Sequence, residues 1–157
     1  MRLYRFFSFI AVSVLAVLLS GCGAGTGDEL LAEGMDKLKK GQYEQAASLL
    51  EQASIKLPSS ATAQCNLGIA YWKLNSNEDA VAAFRKAAEL NPQETVPLEY
   101  IARILKEEKD LEGARNALKE AGKRLSGSGS PSILTAMAVI DLEQGNTYAA
   151  YDFLMQS

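Results

Sequence analysis

Residues 66–92 read NLGIAYWKLNSNEDAVAAFRKAAELNP, and this stretch decides the fold. Gly68 is small enough for two helices to cross closely, and Phe84 is large enough to fill the space between neighbouring units. The polar segment 75–77 suits a turn between the helices, and Pro92 ends the second one because proline has no amide hydrogen to donate. The stretch therefore predicts a helix, a turn and a second helix.

The same pattern occurs 34 residues earlier and again 34 residues later. The earlier copies of its main positions are Gly34, Ala46, Leu50, Ala53 and Pro58. The later copies are Ala102, Ala114, Leu118, Ala121 and Ser126. The register persists in the later copy although the glycine and the proline are lost. Such a period indicates an array of helix-turn-helix units, each of which needs a neighbour to bury its apolar face.

The middle unit carries the main positions of the tetratricopeptide repeat signature, except that Gln64 stands in place of the initial tryptophan. The matching residues are Leu67, Gly68, Tyr71, Ala80, Phe84, Ala87 and Pro92. The chain resembles this family over residues 28–125. The resemblance implies an all-α fold, a right-handed superhelical solenoid of three full repeats at 28–60, 61–94 and 95–125.

Both ends of the array depart from the pattern. Glu33 and Lys37 replace the leucine and tyrosine of the first unit, and we interpret them as the solvated cap of a helix that has no preceding neighbour. A Gly/Ser linker at 126–131 precedes a partial fourth unit at 132–157, which is shifted by two residues.

In the partial fourth unit, Gly145, Ala150 and Leu154 align with Gly41, Ala46 and Leu50. The chain stops at Ser157 before the second helix of this unit is complete. The unfinished apolar edge contains Phe153, Leu154 and Met155. We favour a truncated chain over self-association through this edge.

The N-terminus has the organisation of an export signal. Arg2 and Arg5 form a positive start, and the apolar run 6–19 is shorter than the roughly 20 residues that a spanning helix needs. Its end, Leu19-Ser20-Gly21-Cys22, resembles a bacterial lipobox.

This second resemblance implies that residues 1–21 are removed as a lipoprotein signal peptide, and that Cys22 receives a diacylglyceryl thioether and an N-acyl group. Three acyl chains exceed what stable anchoring requires. Residues 22–27 would then form a short lipid-anchored tether, and Gly23 favours the outer membrane, facing the periplasm. The alternative is an ordinary secretory signal that happens to contain Cys22.

Composition excludes several classes of function. The formal net charge is −3 and falls to −5 when Arg2 and Arg5 are removed with the signal, so we expect no nucleic-acid partner. The chain has no histidine and two cysteines, which rules out histidine acid–base chemistry and the usual zinc frameworks. We interpret Cys65 as a small helix residue, and we expect neither a metal nor a non-covalent cofactor.

An enzyme that relies on carboxylates alone is the remaining catalytic possibility. The candidate pairs are Glu107 with Glu108 and Asp141 with Glu143. Neighbouring acids on a helix point apart, and none of these has a second group at useful spacing. We therefore expect no enzyme activity.

Binding residues are expected on the concave surface of the superhelix, which the first helix of each unit lines. Helical spacing places seven candidates there: Met35, Ile69, Trp72, Lys73, Arg103, Lys106 and Val139. This mixture of apolar side chains and cations suits an extended peptide with apolar anchors and an acidic group. The alternative is that Trp72 packs between repeats and the charges form a solvated face.

Chaperone-binding members of the family hold a peptide carboxylate in a clamp of lysine and asparagine. Only Asn66 matches a clamp position here. The other positions hold Leu31, Met35, Val96 and Tyr100. The resemblance therefore does not extend to that ligand class.

The sequence thus predicts a membrane-anchored scaffold or adaptor for an envelope complex, resembling lipoproteins of pilus and envelope assembly, with a membrane-proximal protein such as a pore subunit as its partner. Two alternatives remain. One is an accessory or recruiting subunit of an envelope enzyme such as a peptidoglycan hydrolase. The other is a structural module that associates with itself through its C-terminal edge.

Overall fold

The computed structural model describes residues 25–125 and 130–155, which form eight helices and no strand. The helices are α1 (Gly27–Lys39), α2 (Tyr43–Lys56), α3 (Ala61–Lys73), α4 (Asn77–Leu90), α5 (Val96–Glu107), α6 (Leu111–Arg124), α7 (Pro131–Glu143) and α8 (Thr147–Leu154). They pair in sequence order, and each pair packs on the next. The predicted all-α solenoid of three full repeats and a partial fourth is confirmed.

Several sequence predictions fall outside the described residues. These are the signal peptide at 1–21, the acylated Cys22, Gly23 and the linker positions 126–129. None of the helices in the described ranges is long and apolar enough to cross a membrane.

One residue with left-handed backbone geometry joins the two helices of every pair. These residues are Gly41 (φ 72°), Asn75 (φ 59°), Lys109 (φ 68°) and Gly145 (φ 78°). Glycine and asparagine adopt this conformation at low cost, so they commonly follow the end of a helix. The first three lie 34 residues apart and the fourth lies 36 residues further on, which agrees with the two-residue shift predicted for the last unit.

Side chains also set where helices begin. The Thr26 hydroxyl accepts from the amide of Glu29 at 3.2 Å, and the Glu29 carboxylate accepts from the amide of Thr26 at 2.7 Å. This reciprocal cap satisfies two amides that a helix start otherwise leaves without partners. Pro97 and Pro131 stand in the first turns of α5 and α7, where a missing amide hydrogen is tolerated.

The core explains the glycine of the signature. Phe84 is fully buried, and a Cβ atom at Gly68 would lie 2.8 Å from its ring carbons. A Cβ at Gly34 would likewise lie 2.7 Å from Leu50 Cγ. Because interiors are close-packed, the large residue on the second helix of these two units leaves room only for glycine on the first. The third unit differs, since it holds Ala102 and Leu118 at the positions of Gly34 and Leu50.

Cys65 is buried in the same core, as its interpretation as a small helix residue requires. Burial, assisted by the negative charge of Glu94, raises the pKa of the Cys65 thiol to about 11. A thiol that stays protonated is a poor nucleophile and a poor metal ligand. Cys65 therefore behaves as a packing residue.

The last helix pair contains a buried charge. Asp141 on α7 is fully buried, and its Oδ1 lies 3.1 Å from Nε of Arg115 on α6. Neither carboxylate oxygen of Asp141 accepts a hydrogen bond. Near the C-terminal end of the described residues, Tyr148 is 87% and Met155 69% exposed. The side chains of Phe153 and Leu154, also predicted at this edge, lie outside the described residues.

Candidate binding groove

The first helices of the last three pairs, α3, α5 and α7, carry six of the seven predicted groove residues. Trp72 and Lys73 form the end of α3, Arg103 and Lys106 lie on α5, and Val139 lies on α7. Repeat packing brings the ends of α3 and α5 together, because α5 packs on the α3–α4 pair. Side chains from separate units therefore share one surface.

Two aromatic rings form the base of this surface. The rings of Trp72 and Tyr100 meet edge to face, with centroids 5.5 Å apart and planes at 62°. Tyr100 in turn stacks on Phe84 at 4.9 Å with an interplanar angle of 2°. Both arrangements are favoured by the charge distribution of aromatic rings. Since Phe84 is fully buried, the half-buried rings of Tyr100 and Trp72 are fixed to the core.

Two cations lie over these rings. Lys73 Nζ is 4.3 Å from the centroid of Trp72, and the Arg103 guanidinium carbon is 5.5 Å from the centroids of both Trp72 and Tyr100. Within 25–125 and 130–155, neither cation has an acidic group at ion-pair distance. We call Trp72, Lys73, Tyr100 and Arg103 the aromatic–cation platform.

Polar contacts hold the neighbouring first helices in register. The indole Nε1 of Trp72 donates to Glu107 Oε2 at 3.3 Å, which joins α3 to α5. Lys106 Nζ pairs with Glu143 Oε1 at 3.3 Å, which joins α5 to α7. These contacts are solvent-accessible and contribute little to stability, about 1 kcal/mol or less each. Their effect is to orient the side chains of the surface.

A pocket of about 290 Å³ opens between α5 and α7 next to the platform. Its floor and walls come from both helices and from α6: Glu99, Ala102, Arg103, Lys106, Leu118, Ser132, Ala136, Val139 and Ile140. Most of the floor is apolar, and charged groups stand at its rim. We call this cavity the α5–α7 pocket.

The structure therefore separates the predicted residues into groups. Trp72, Lys73 and Arg103 meet in the platform, while Arg103, Lys106 and Val139 line the pocket. Ile69 packs against the core next to them. Met35 is half-buried on α1 and lines neither.

Two residues of this surface were not among the predicted contacts. Tyr100 was noted only because it replaces a clamp residue, yet it supplies one of the two rings of the platform. Ala136 lies in the pocket. The 36-residue register between α5 and α7 places Ala136 at the position of Tyr100. From the sequence, this correspondence could have identified Ala136 as a residue of the groove.

Asn66, the one match to the carboxylate clamp, donates to the carbonyl of Thr62 at 2.8 Å within its own helix. Among the residues that the structure describes, no three histidine, cysteine, aspartate or glutamate side chains come together as metal ligands. The chemistry that this surface offers is non-covalent binding through rings, cations and an apolar cavity.

Known proteins support the fold assignment. Residues 31–95 match the sequence profile described as tetratricopeptide repeat, which covers the first two helix pairs. No curated protein sequence matches the chain.

Solved structures extend the likeness to most of the chain. A crystal structure of MamA superposes with a TM-score of 0.79 at 16% identity, covering 88% of this chain and 80% of that one. PilF of Pseudomonas aeruginosa gives 0.69 at 23% identity, covering 82% of this chain, which spans only 58% of the PilF chain.

The type III secretion chaperone SycD of Yersinia enterocolitica, in complex with a peptide of the translocator YopD, gives a TM-score of 0.68 at 16% identity. The match covers 74% of this chain and 93% of SycD. At these identities the likenesses establish the fold alone.

Proposed function

We propose that this chain is a lipid-anchored scaffold of the bacterial cell envelope, which docks a segment of a partner protein on the aromatic–cation platform. The platform carries the proposal because Lys73 and Arg103 lie over Trp72 with no acidic partner in the described chain. Tryptophan, tyrosine and arginine are also the residues that dominate binding energy at protein interfaces.

The electrostatics of the platform suit an acidic segment. A carboxylate from a partner would meet two preorganised cations whose positions the rings already restrict. The chain as a whole is acidic, with a formal net charge of −3. The overall negative charge repels most other acidic proteins. The local positive charge of the platform attracts those whose acidic groups can reach it.

The tetratricopeptide fold is typically a non-enzymatic interaction scaffold, and this supports a binding role over a catalytic one. SycD, which shares the fold, was crystallised with a peptide of YopD. Peptide docking by the present chain is proposed by analogy with that complex.

Anchoring is proposed from the lipobox-like segment 19–22. Acylation of Cys22 would leave about five residues before α1 begins at Gly27. At no more than about 3.6 Å per residue, this tether keeps the start of the solenoid within roughly 20 Å of the lipid. The partner is therefore a membrane-proximal envelope protein, such as a subunit of a pilus or of a secretion pore, on the periplasmic side of the outer membrane.

Site-specific crosslinking tests the docking surface. A photoreactive residue replaces Trp72 in the full-length chain, expressed in a bacterial envelope, and adducts are identified by mass spectrometry. The matched control places the same residue at Ile55, which is 79% exposed on α2 and outside the platform. We expect one envelope protein at position 72, none at position 55, and loss of the adduct with Arg103→Glu. Equal adducts at both positions would contradict the proposal.

Anchoring has its own test. Cys22→Ser should abolish incorporation of labelled palmitate and leave residues 1–21 attached, because the lipobox is lost. Cys65→Ser serves as the control because Cys65 is buried and is expected to leave both unchanged. A protein that still incorporates palmitate after Cys22→Ser is not acylated at that residue.

Self-association is the second candidate, favoured by the exposure of Leu142, Tyr148 and Met155 on the last pair. Light scattering on the purified full-length chain, in detergent, distinguishes the two. A dimer that Tyr148→Glu dissociates, together with no adduct at position 72, would replace docking by self-association. An adduct that proves to be an envelope hydrolase would instead make the chain a recruiting subunit.

A further inference from the structure

The register of the repeats makes two neighbouring interfaces directly comparable. Residues of α3 recur on α5 after 34 positions, and residues of α5 recur on α7 after 36. Where α5 meets the α3–α4 pair, Tyr100 stacks on Phe84 and meets the edge of Trp72. This interface is filled by three aromatic rings.

The next interface has the corresponding repeat positions without the rings. Ala136 stands at the position of Tyr100, Leu118 at that of Phe84, and Lys106 at that of Trp72. All three line the α5–α7 pocket of about 290 Å³. The pocket thus lies at the repeat position that the Tyr100 ring fills in the preceding interface.

The charged side chains at the rim differ in whether they already have a bonding partner within the described chain. Lys106 is paired with Glu143 at 3.3 Å. The carboxylate of Glu99 accepts from Thr95 at 3.0 Å and from Ser132 at 3.4 Å. Arg103 has no acidic group at ion-pair distance in the described chain. One cation therefore remains at the rim for a carboxylate from outside.

We infer that the α5–α7 pocket receives one aromatic side chain of the partner, with an acidic residue next to it in the partner sequence contacting Arg103. The ring would lie against Leu118 as Tyr100 lies against Phe84. This inference rests on the proposed function and specifies the partner segment that the groove selects. An aromatic ring buries a large apolar area, and a buried ring beside a charge contact is a common arrangement of interface hot spots.

The probe is the peptide acetyl-Gly-Phe-Asp-Gly-amide with a 4-fluoro label on its phenylalanine. Binding to the full-length protein in non-ionic detergent is followed by fluorine NMR. Replacing the phenylalanine of the peptide by a fluorinated alanine should weaken binding about tenfold or more, because the pocket stays empty. Replacing the aspartate by lysine should weaken it by a smaller factor, about three- to tenfold, and Arg103→Gln should abolish that difference.

A variant that fills the pocket from within gives the sharpest comparison. Ala136→Tyr restores the ring of the preceding interface and should block the probe, with about a tenfold loss of affinity or more. The matched control is Ala32→Tyr, which makes the same change at the same repeat position on α1, where Ala32 is exposed and no described helix precedes it. Ala32→Tyr should bind the probe as the unmodified chain does.

Circular dichroism checks that Ala136→Tyr is folded, and Ala136→Leu replaces it if it is not. Unchanged affinity in the folded pocket-filling variant, or equal binding of the phenylalanine and alanine peptides, would overturn the inference. The proposed function fails separately. If the crosslinking protein still forms the adduct at position 72 when it also carries Ala136→Tyr, docking stands and the pocket is unused. If the crosslinking protein forms no adduct even with the native Ala136, docking itself is refuted.

Discussion

The α3–α4 pair in the middle of the array and the α7–α8 pair at its end use the same repeat position in opposite ways. On α3, Tyr71 is half-buried and donates its hydroxyl hydrogen to Glu51 on α2 at 2.7 Å. On α5 the position holds Leu105, which packs on the core. On α7 it holds Asp141, fully buried with no hydrogen bond to either carboxylate oxygen.

The two pairs also differ in how their large and polar side chains are accommodated. The α3–α4 pair has a helix pair on each side, its Phe84 is fully buried, and the hydroxyl of its Tyr71 is hydrogen-bonded. The α7–α8 pair keeps a carboxylate beside Arg115 and exposes Tyr148 and Met155. Buried charge and exposed apolar surface both cost stability, so within the described residues we expect the α7–α8 pair to be less stable than the α3–α4 pair.

The largest expected effect is Phe84→Ala in the middle pair. It removes a fully buried ring that packs on Gly68 and supports Tyr100, so the free energy of unfolding should fall by about 3–5 kcal/mol. Urea denaturation followed by circular dichroism measures it. Tyr148→Ala in the last pair is the control and should stay within about 0.5 kcal/mol, because Tyr148 is exposed. Similar losses for both would remove the contrast between the pairs.

The buried charge gives the second prediction. Arg115→Met leaves Asp141 buried without a counter-charge and should lower the free energy of unfolding by about 3 kcal/mol. Adding Asp141→Leu, the residue type of the preceding repeat, should restore most of this loss, because the carboxylate is gone. Urea denaturation of the two single variants and the double variant measures the coupling. Strictly additive losses would show that the two side chains do not interact.

Two glycine substitutions should have opposite signs. Gly68→Ala forces Phe84 to move and should cost about 1–3 kcal/mol. Gly122→Ala, within α6, places its Cβ at an ordinary 3.9 Å from Ile133 Cγ2 and should stabilise the chain by up to about 1 kcal/mol. Thermal unfolding reports both changes. A stabilising Gly68→Ala would mean that the first and second helices of the middle pair are not in close contact.

The smallest effect concerns pH. Burial, followed by the hydrogen bond to Glu51 and the negative charge around it, raises the pKa of Tyr71 from 10.0 to about 12. Since the folded state favours the protonated hydroxyl, the stability that it contributes is complete below pH 10 and is lost as the pH rises towards 12. Absorbance at 295 nm should show a tyrosine that ionises late, and Tyr71→Phe should remove that step while leaving the others.

The sequence was sufficient for the features that local chemistry determines. The 34-residue period, the close approach of Gly68 to Phe84 and the prolines of α5 and α7 all follow from residue size and backbone properties. The burial of Asp141 was not predicted, because beside Glu143 it resembles a solvated acidic pair. Asp141 falls on the buried face only when the last unit is shifted by two residues, which aligns Asp141 with Leu105 and Tyr71.

The site was predicted less completely, for a different reason. Helical spacing identifies which residues share a face, and it placed Trp72 and Arg103 correctly near each other. Ring stacking depends on side-chain rotamers and on the distance between repeats, neither of which a single sequence contains. Tyr100 and Ala136 were therefore missed, and the binding roles of the seven candidate residues stay predictions.

The position of Trp72 makes the protein its own optical reporter. It is the only tryptophan in the chain, so all indole fluorescence comes from the aromatic–cation platform. Its emission depends on the hydrogen bond to Glu107 and on the two cations over its ring, and a docked ligand would alter each of them. An unlabelled titration of the unmodified protein can therefore follow occupancy of the groove, and its kinetics, at the site itself.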